Sequence, residues 1–314
     1  MKIPRPFLLL NLNKYGEITV QVPAAFAAVV LIWSTTPLAI QWSSEGQGFL
    51  FSVFSRMVLG AALCLLLVKV MNIPLPWHRT AREAYLAATL SIYGAMLCVY
   101  WGAQFIPSGV VSVLFGLTPI ATGVIAVIWL GERKFTTTRI IGLLLAICGL
   151  TVVFSASFAL GEKSTLGISG VLLSIGLTAV STVWLKRVNA GISPVAITTG
   201  ALILSTPLYA LTWLLFDGQL PIEIPLRALS ATIYLGTIGS VVGFILFFYL
   251  LKKMEASRAT LLTLITPVLA LLLGHALNNE RVGIEVWLGT GMILTGLMSH
   301  EWGDILLKKT TQRS

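Results

Sequence analysis

Charged side chains are scarce in this sequence of 314 residues. Asp, Glu, Lys and Arg make up 11% of it, while 56% of residues are hydrophobic and the mean hydropathy is +0.91. Soluble domains carry about 25% charged residues, so this chain has too few charges to cover a surface that faces water. The composition therefore predicts an all-α integral membrane protein whose surface faces lipid.

Cysteine is also rare, and its placement excludes common kinds of site. Cys64, Cys98 and Cys148 each lie inside an apolar run, without CxxC spacing or neighbouring histidines. Metal and redox sites depend on such clusters. We expect no metal and no cofactor, and we interpret the three cysteines as packing residues.

The motifs of intramembrane enzymes and of nucleic-acid-binding proteins are missing as well. The sequence offers no paired serine and histidine, no two mid-span aspartates and no HExxH helix. The net charge of +9 comes from basic residues scattered in ones, twos and threes rather than gathered on one face. We expect neither an enzyme nor a nucleic-acid-binding protein.

Ten apolar segments, separated by short polar breaks, make up most of the chain. Segments of about twenty apolar residues are long enough to cross a bilayer as helices. A very short break at 105–108 further predicts that spans three and four pack as an antiparallel pair. The predicted spans are 22–42, 49–70, 83–105, 109–130, 139–158, 166–186, 194–216, 228–251, 257–277 and 286–302.

The basic residues between the spans predict the orientation of the chain. With the first tail in the cytoplasm, seventeen Lys and Arg residues fall on the inner side, three on the outer side and one inside a span. Cytoplasmic loops of membrane proteins carry such an excess. We therefore predict that both termini, tails 1–21 and 303–314, are cytoplasmic. The first tail has too short an apolar core for a signal peptide.

An internal duplication divides the chain into two halves. Pro119 precedes Glu132 by thirteen residues, and Pro267 precedes Glu280 by the same distance, which gives a repeat offset of 148. Because five spans is an odd number, the second half would enter the membrane the opposite way up. The pattern predicts two inverted five-helix repeats, 22–158 and 166–302, as is common in secondary transporters.

The duplicated prolines predict a binding cavity near the middle of the membrane. A proline inside a helix leaves the carbonyl four residues earlier without its donor, here those of Phe115 and Thr263. Such groups are tolerated in lipid where protein or a cavity receives them. Both prolines could stand at a cavity, or they could be structural kinks satisfied by the hydroxyl of Thr118 or Thr266; the two roles do not exclude each other.

Several motifs resemble a known transporter repeat. The first duplicated span ends in Gly131-Glu132-Arg133 and is followed by RIIGLLLAICGLTVV; earlier stand LIWSTTPLAI and FSRMVLGAAL. They resemble the EamA repeat of the drug/metabolite transporter superfamily, and the resemblance covers both repeats. The second repeat departs from it with Asn278-Asn279-Glu280-Arg281 and lacks a counterpart of Arg56. The resemblance implies a ten-helix carrier that moves small metabolites by alternating access.

Charged residues at or near the spans suggest specific roles. Arg56 is the one basic residue well inside a span, and an intramembrane charge usually faces the interior of a bundle. It could hold a substrate carboxylate, or it could extend outward to the membrane surface. Glu132 and Glu280 stand at span ends, where we expect them to cap the helix that follows. No acidic residue lies at mid-span, so proton coupling, exchange and uniport remain open.

Aromatic residues inside the spans are candidates for the cavity wall, although each could instead face lipid. Tyr100-Trp101 and Phe248-Tyr249 are related by the repeat offset, so both halves present aromatics at equivalent depths. The predicted cavity residues are Trp33, Arg56, Tyr93, Tyr100, Trp101, Thr118, Pro119, Trp184, Phe244, Phe248, Tyr249, Thr263, Thr266 and Pro267.

The sequence thus predicts a multi-pass protein of the bacterial inner membrane that carries small organic metabolites. A mainly apolar cavity with hydroxyl groups suits amino acids or related compounds, with export the expected direction. The alternative is a translocator of lipids or lipid-linked glycans on the same fold. The expected partners are a small-molecule substrate and membrane lipids, and a homodimer is left open.

Overall fold

The protein is a helical bundle in the computed structural model, which describes residues 21–131, 136–157, 163–259, 266–280 and 283–311. No strand occurs within those ranges. The principal helices are α1 (Val22–Ser44), α2 (Phe49–Val70), α3 (Arg79–Gly102), α4 (Ser108–Leu130), α5 (Thr137–Ser157), α6 (Ser164–Val188), α7 (Pro194–Phe216), α8 (Leu226–Lys253), α9 (Thr266–Asn278) and α10 (Ile284–Thr311).

Seven of these helices, α1 to α4 and α6 to α8, are long and apolar enough to cross a membrane. Spans five, nine and ten of the sequence prediction fall on α5, α9 and α10, whose described apolar stretches are Ile140–Val153, Thr266–Asn278 and Ile284–Ser299. Large apolar side chains cover the outside of the bundle; Leu31 is 63% exposed and Ile128 71%. Such a surface is suited to lipid rather than to water.

Three helices depart from regular α-helical geometry. In α3 the segment Leu90–Ala95 is a π-helix, and in α8 the segment Leu235–Val242 is one. The repeat offset of 148 places 90–95 opposite 238–243, so the two irregular segments are nearly equivalent. Short π-helical segments occur often at functional sites. The third departure is a break in α4 at Gly116 and Leu117.

The helices of the two halves pack in a pattern that is nearly symmetric. Helix α1 packs on α9 while α4 packs on α6; α2 packs on the π segment of α8 while α3 packs on α7. In addition α2 contacts α7, and α5 contacts α10 along much of its length. Each of these contacts joins one half to the other, so the interface between the halves is the core of the bundle.

Glycines allow α5 and α10 to approach closely. A Cβ atom on Gly149 would lie 2.7 Å from the carbonyl oxygen of Gly289, and one on Gly296 would lie 2.5 Å from that of Gly142. Small residues permit such contact in lipid, where packing rather than the hydrophobic effect joins helices. These glycines therefore act in packing.

Spans three and four do not form the antiparallel pair that their short connection predicts. In the structure α6 packs along both α3 and α4 and so lies between them. A short loop fixes only the ends of two helices, whereas the helix supplied by the other half determines their separation.

Candidate functional site

A central cavity lies where helices of the two halves meet. Helices α1 to α4 line it from the first half, and α6, α8 and α9 from the second. Its volume is about 80 Å³. One water needs about 10–15 Å³ of such volume, so the cavity has room for several waters or for part of a small organic molecule.

One wall of the cavity is aromatic. The ring centres of Trp33 and Phe247 are 5.1 Å apart, and those of Phe247 and Phe248 are 5.7 Å apart. Phe244 is stacked against Phe248 at 6.3 Å. These distances are typical of favourable aromatic contacts, and the cluster offers an apolar surface to a ligand.

Arg56 is the only charged side chain among the described residues that line the cavity. It is 1% exposed, so it does not extend outward to the membrane surface. Its Nε donates to Ser240 Oγ at 2.9 Å and its Nη1 donates to the Tyr100 hydroxyl at 3.3 Å. Arg56 Cζ also lies 5.9 Å from the centre of the Tyr100 ring.

The charge of Arg56 has no carboxylate partner within the described part of the chain, where other arginines form the ion pairs. Its hydrogen bonds there use Nε and Nη1, including a long contact from Nη1 to Met96 Sδ at 3.9 Å. Among the described residues, no hydrogen bond of Nη2 is found. An unpaired buried charge is costly, and an anion in the cavity would offset that cost.

Several hydroxyl groups complete the lining. Uncharged donors and acceptors of this kind fix the orientation of a ligand in a mainly apolar site. They belong to Thr36, Ser91, Ser112, Thr118, Ser174, Thr178 and Thr266.

Six of the residues predicted from sequence line the cavity. Tyr100 does not line it, but its hydroxyl accepts a hydrogen bond from Arg56. Thr263 lies outside the described residues. Tyr93, Trp101, Trp184, Tyr249 and the two prolines are not part of the lining. The six that line it are Trp33, Arg56, Thr118, Phe244, Phe248 and Thr266.

The remaining predicted aromatics pack elsewhere. The Tyr93 hydroxyl lies 2.7 Å from Thr212 Oγ1. Trp101 packs against α6, Trp184 lines a different pocket near the end of α6, and Tyr249 is buried in α8. The rotation of each helix decides these positions, and a helix that is apolar on all sides does not reveal its rotation in its sequence.

Pro119 does not kink a continuous helix. Helix α4 stops at Phe115 and resumes at Thr118, so that Pro119 stands in the first turn of the resumed helix, where a proline is readily accommodated. Thr118 Oγ1 has no hydrogen-bond partner in the described structure, so this hydroxyl does not satisfy the backbone. Pro267 is the second residue of α9 and is buried.

Glu280 caps a helix of the other half rather than the helix that follows it. Its carboxylate accepts hydrogen bonds from the backbone N–H of Ser108 at 3.1 Å and of Gly109 at 3.2 Å, and from Ser108 Oγ at 2.7 Å. A negative charge is favourable at a helix N-terminus, here that of α4. Glu132 lies outside the described residues.

Further contacts join the two halves at the same end of the bundle. Asn278 Oδ1 accepts from Trp42 Nε1 at 3.1 Å and from Arg227 Nη2 at 2.9 Å, and Arg227 lies over the Trp42 ring at 4.3 Å. Gln41 Oε1 accepts from Asn278 Nδ2 at 3.4 Å. These contacts hold together the end of the bundle that is predicted to face outward.

A smaller inner pocket borders the central cavity near the ends of α6 and α8. Phe248 lines both. The inner pocket also includes Lys186 and Lys252, and Lys186 Nζ donates to the Leu251 carbonyl oxygen at 2.8 Å. The aromatic side chain of Phe248 therefore stands between the central cavity and a pocket at the predicted cytoplasmic end.

Sequence reasoning missed several residues of the site, among them Ser174, Ser240 and Phe247. Ser240 is polar and lies in an apolar span, but serine is common in such spans as a packing residue. Only its contact with Arg56, 184 positions earlier in the chain, distinguishes it. No local signal in the sequence could have identified that contact.

Comparison with known proteins identifies the family. The sequence model of the EamA-like transporter family matches two stretches of the chain, residues 23–155 and 165–299. The chain belongs to the EamA-like transporter family. Members of this family are transporters, which are not a class of enzymes. The chain is a multi-pass protein of the inner membrane, surrounded by lipid.

Relatives of this EamA-like chain are named as transporters. An uncharacterized transporter of Archaeoglobus fulgidus is 31% identical over 209 residues, which are 66% of this chain and 72% of the relative. A probable terminal-alkyne amino-acid exporter of Streptantibioticus cattleyicolor is 21% identical, and the match covers 87% of this chain and 91% of the relative.

A solved crystal structure has the same fold. It superposes on the EamA-like chain with a TM-score of 0.66 at 17% identity, and the match covers 89% of this chain and 97% of that one. At this identity the similarity is informative about the fold alone.

Proposed function

We propose that this EamA-like chain is a secondary transporter of small organic metabolites, amino acids or related compounds, and that it exports them by alternating access. The central cavity carries the proposal. It is lined by helices of both halves and contains one buried cation with no carboxylate partner in the described structure. A movement of one half against the other would open such a cavity to either side of the membrane in turn.

The chemistry of the cavity supports a metabolite with an acidic group and an apolar part. Arg56 would bind the carboxylate, since its planar guanidinium presents several donors to an anion. Trp33, Phe244 and Phe248 would contact the apolar part. The name of the Streptantibioticus relative, an amino-acid exporter, agrees with a substrate of this kind.

The proposal also covers the arrangement of the helices in the membrane. Ten helices form two inverted repeats, 22–158 and 166–302, and both tails lie in the cytoplasm. The nearly symmetric packing of the two halves supports this arrangement. Residues from both halves of the chain line the cavity.

Two assays on purified protein in lipid vesicles test the proposal. The first measures saturable uptake of labelled amino acids and organic acids; the second measures the movement of fluorescent lipids between leaflets. We expect saturable solute uptake and no acceleration of lipid movement. Lipid movement without solute uptake would instead identify a lipid or glycan-lipid translocator.

A further inference from the structure

Hydroxyl groups on the helices of this protein usually bond to their own helix. Thr36 Oγ1 donates to the Ile32 carbonyl at 2.8 Å, and Thr182 Oγ1 donates to the Thr178 carbonyl at 2.7 Å. The donation to the carbonyl four residues earlier is the ordinary way to satisfy a serine or threonine in an apolar helix. A buried hydroxyl that does not follow this pattern requires a different partner.

Three buried hydroxyls depart from the pattern, two on α4 and one on α6, and these two helices pack together. Thr118 Oγ1, Thr122 Oγ1 and Ser174 Oγ have no hydrogen-bond partner in the described structure. Their residues are 2%, 0% and 1% exposed. Thr118 and Ser174 also line the central cavity. A buried polar group without a partner is costly, so these two hydroxyls are available to a ligand.

The break in α4 adds an acceptor to the same wall. Because Pro119 has no N–H, the carbonyl of Phe115 lacks its usual donor four residues later. Phe115 lines the cavity together with Thr118. This wall therefore combines hydroxyls, which donate or accept, with backbone that is interrupted at Gly116 and Leu117.

We propose that Thr118 and Ser174 form a second binding subsite, which receives an amine or hydroxyl group of the solute whose carboxylate Arg56 binds. This inference rests on the proposed function and narrows its substrate class to amino acids and hydroxy acids. The lining has no acidic residue in the described part of the chain. The subsite therefore recognises the hydrogen-bond donor and does not require a positive charge.

Three acids with one carbon skeleton test the subsite: phenylalanine, 3-phenyllactic acid and 3-phenylpropionic acid. Their affinities for the purified full-length protein are measured by calorimetry. We expect the first two to bind about tenfold more tightly than the third, because only the third leaves both hydroxyls without a partner. Equal affinities for all three acids would overturn the proposal.

Variants then assign the effect to the two residues. Thr118→Val combined with Ser174→Ala should bring the affinities for the three acids to within about twofold of one another. Thr118→Ser retains the hydroxyl and should still bind phenylalanine and 3-phenyllactic acid more tightly than 3-phenylpropionic acid. Thr182→Val is the matched control, because its buried hydroxyl is already bonded within α6. If the double variant still binds phenylalanine and 3-phenyllactic acid about tenfold more tightly than 3-phenylpropionic acid, Thr118 and Ser174 do not form the subsite.

The outcomes separate this inference from the proposed function. If the protein transports 3-phenylpropionic acid in vesicles but does not favour the other two acids, the carrier assignment stands and the subsite does not. If none of the three acids binds, the subsite falls, and the vesicle assay with other metabolites decides whether the carrier assignment falls with it. The unfolding temperature of each variant without ligand shows whether it is folded.

Discussion

Arg56 Nε donates a 2.9 Å hydrogen bond to Ser240 Oγ and so connects the two halves of the protein beside the central cavity. Glycines make room for the pair. A Cβ on Gly60 would lie 3.2 Å from Ser240 Cβ, and one on Gly239 would lie 3.3 Å from Arg56 Nη2. The guanidinium of Arg56 belongs to the first half and is bonded to the second. A movement between the halves would therefore change the residues that surround this guanidinium.

Replacement of Arg56 by methionine tests its role as the anion-binding group. We predict that Arg56→Met still folds, because an apolar side chain of similar length removes a buried charge without a carboxylate partner in the described structure, and this offsets the hydrogen bonds lost at Ser240 and Tyr100. Uptake of acidic solutes should fall about 10- to 100-fold, since a hydrogen bond to a charged group contributes about 1.5–3 kcal/mol. The measurement is initial uptake into vesicles.

Arg258→Met is the matched control for that variant. Arg258 forms an exposed ion pair with Glu255 at 3.2 Å, and its loss should leave uptake unchanged. Normal uptake of carboxylates by Arg56→Met would exclude Arg56 as the anion-binding group.

Two glycines on α10 provide a test of the packing between the halves. A Cβ on Gly289 would lie 2.5 Å from Val153 Cγ2 on α5, whereas one on Gly291 would meet nothing within 4 Å. Gly289→Ala should destabilise the protein by about 1–3 kcal/mol, the usual cost of overpacking. Gly291→Ala should be neutral or slightly stabilising, because alanine has the higher helix propensity.

Thermal unfolding, followed by size-exclusion chromatography after heating, compares the two glycine variants. A lower unfolding temperature for Gly289→Ala alone is the expected result. If both variants have the same unfolding temperature as the wild type, then α5 and α10 are not packed as described.

The buried carboxylate of Glu280 should contribute more to stability than an exposed one. It accepts hydrogen bonds from Ser108, Gly109 and Asn278, and Glu280→Ala leaves those donors unsatisfied at a cost of about 1–3 kcal/mol. Glu45 is the comparison, since it is exposed and its carboxylate lies 3.6 Å from Arg227. Glu45→Ala should cost about 0–1 kcal/mol. Unfolding of both variants measures the difference, and equal losses would argue against the cap.

Reporter fusions test the predicted orientation. Green fluorescent protein folds in the cytoplasm and alkaline phosphatase is active outside it, so each reporter is fused in turn to the first and to the last residue of the chain. We predict fluorescence and no phosphatase activity at both ends, because the basic loops lie on the inner side. Opposite results at the two ends would require an odd number of spans and would exclude the inverted repeats.

Much of this protein can be predicted from its sequence because the membrane imposes strong local rules. Seven of the predicted spans fall on helices long enough to cross a membrane, the family is confirmed, and Arg56 lies inside the bundle. Each of these features depends on hydropathy, on a motif or on the cost of one intramembrane charge. None requires knowledge of how distant segments meet.

The features that the sequence does not predict depend on contacts between the halves. Glu280 bonds Ser108, 172 residues away, and Trp101 faces α6 rather than the cavity because of the way α3 is rotated. The prolines predict a kink, whereas α4 is interrupted, because a proline pattern alone does not distinguish a bent helix from a broken one. Such details follow from tertiary packing.

Accessibility of the cavity tests the central claim most directly. Ala95 lines the cavity and is 2% exposed, so Ala95→Cys, in a protein whose native cysteines are replaced by alanine, reports on access. The measurement is its rate of reaction with a membrane-impermeant maleimide added to either face of oriented vesicles. We predict reaction from both faces, slowed by a transported acid. Reaction from one face only, unaffected by any solute that the protein carries, would contradict alternating access through this cavity.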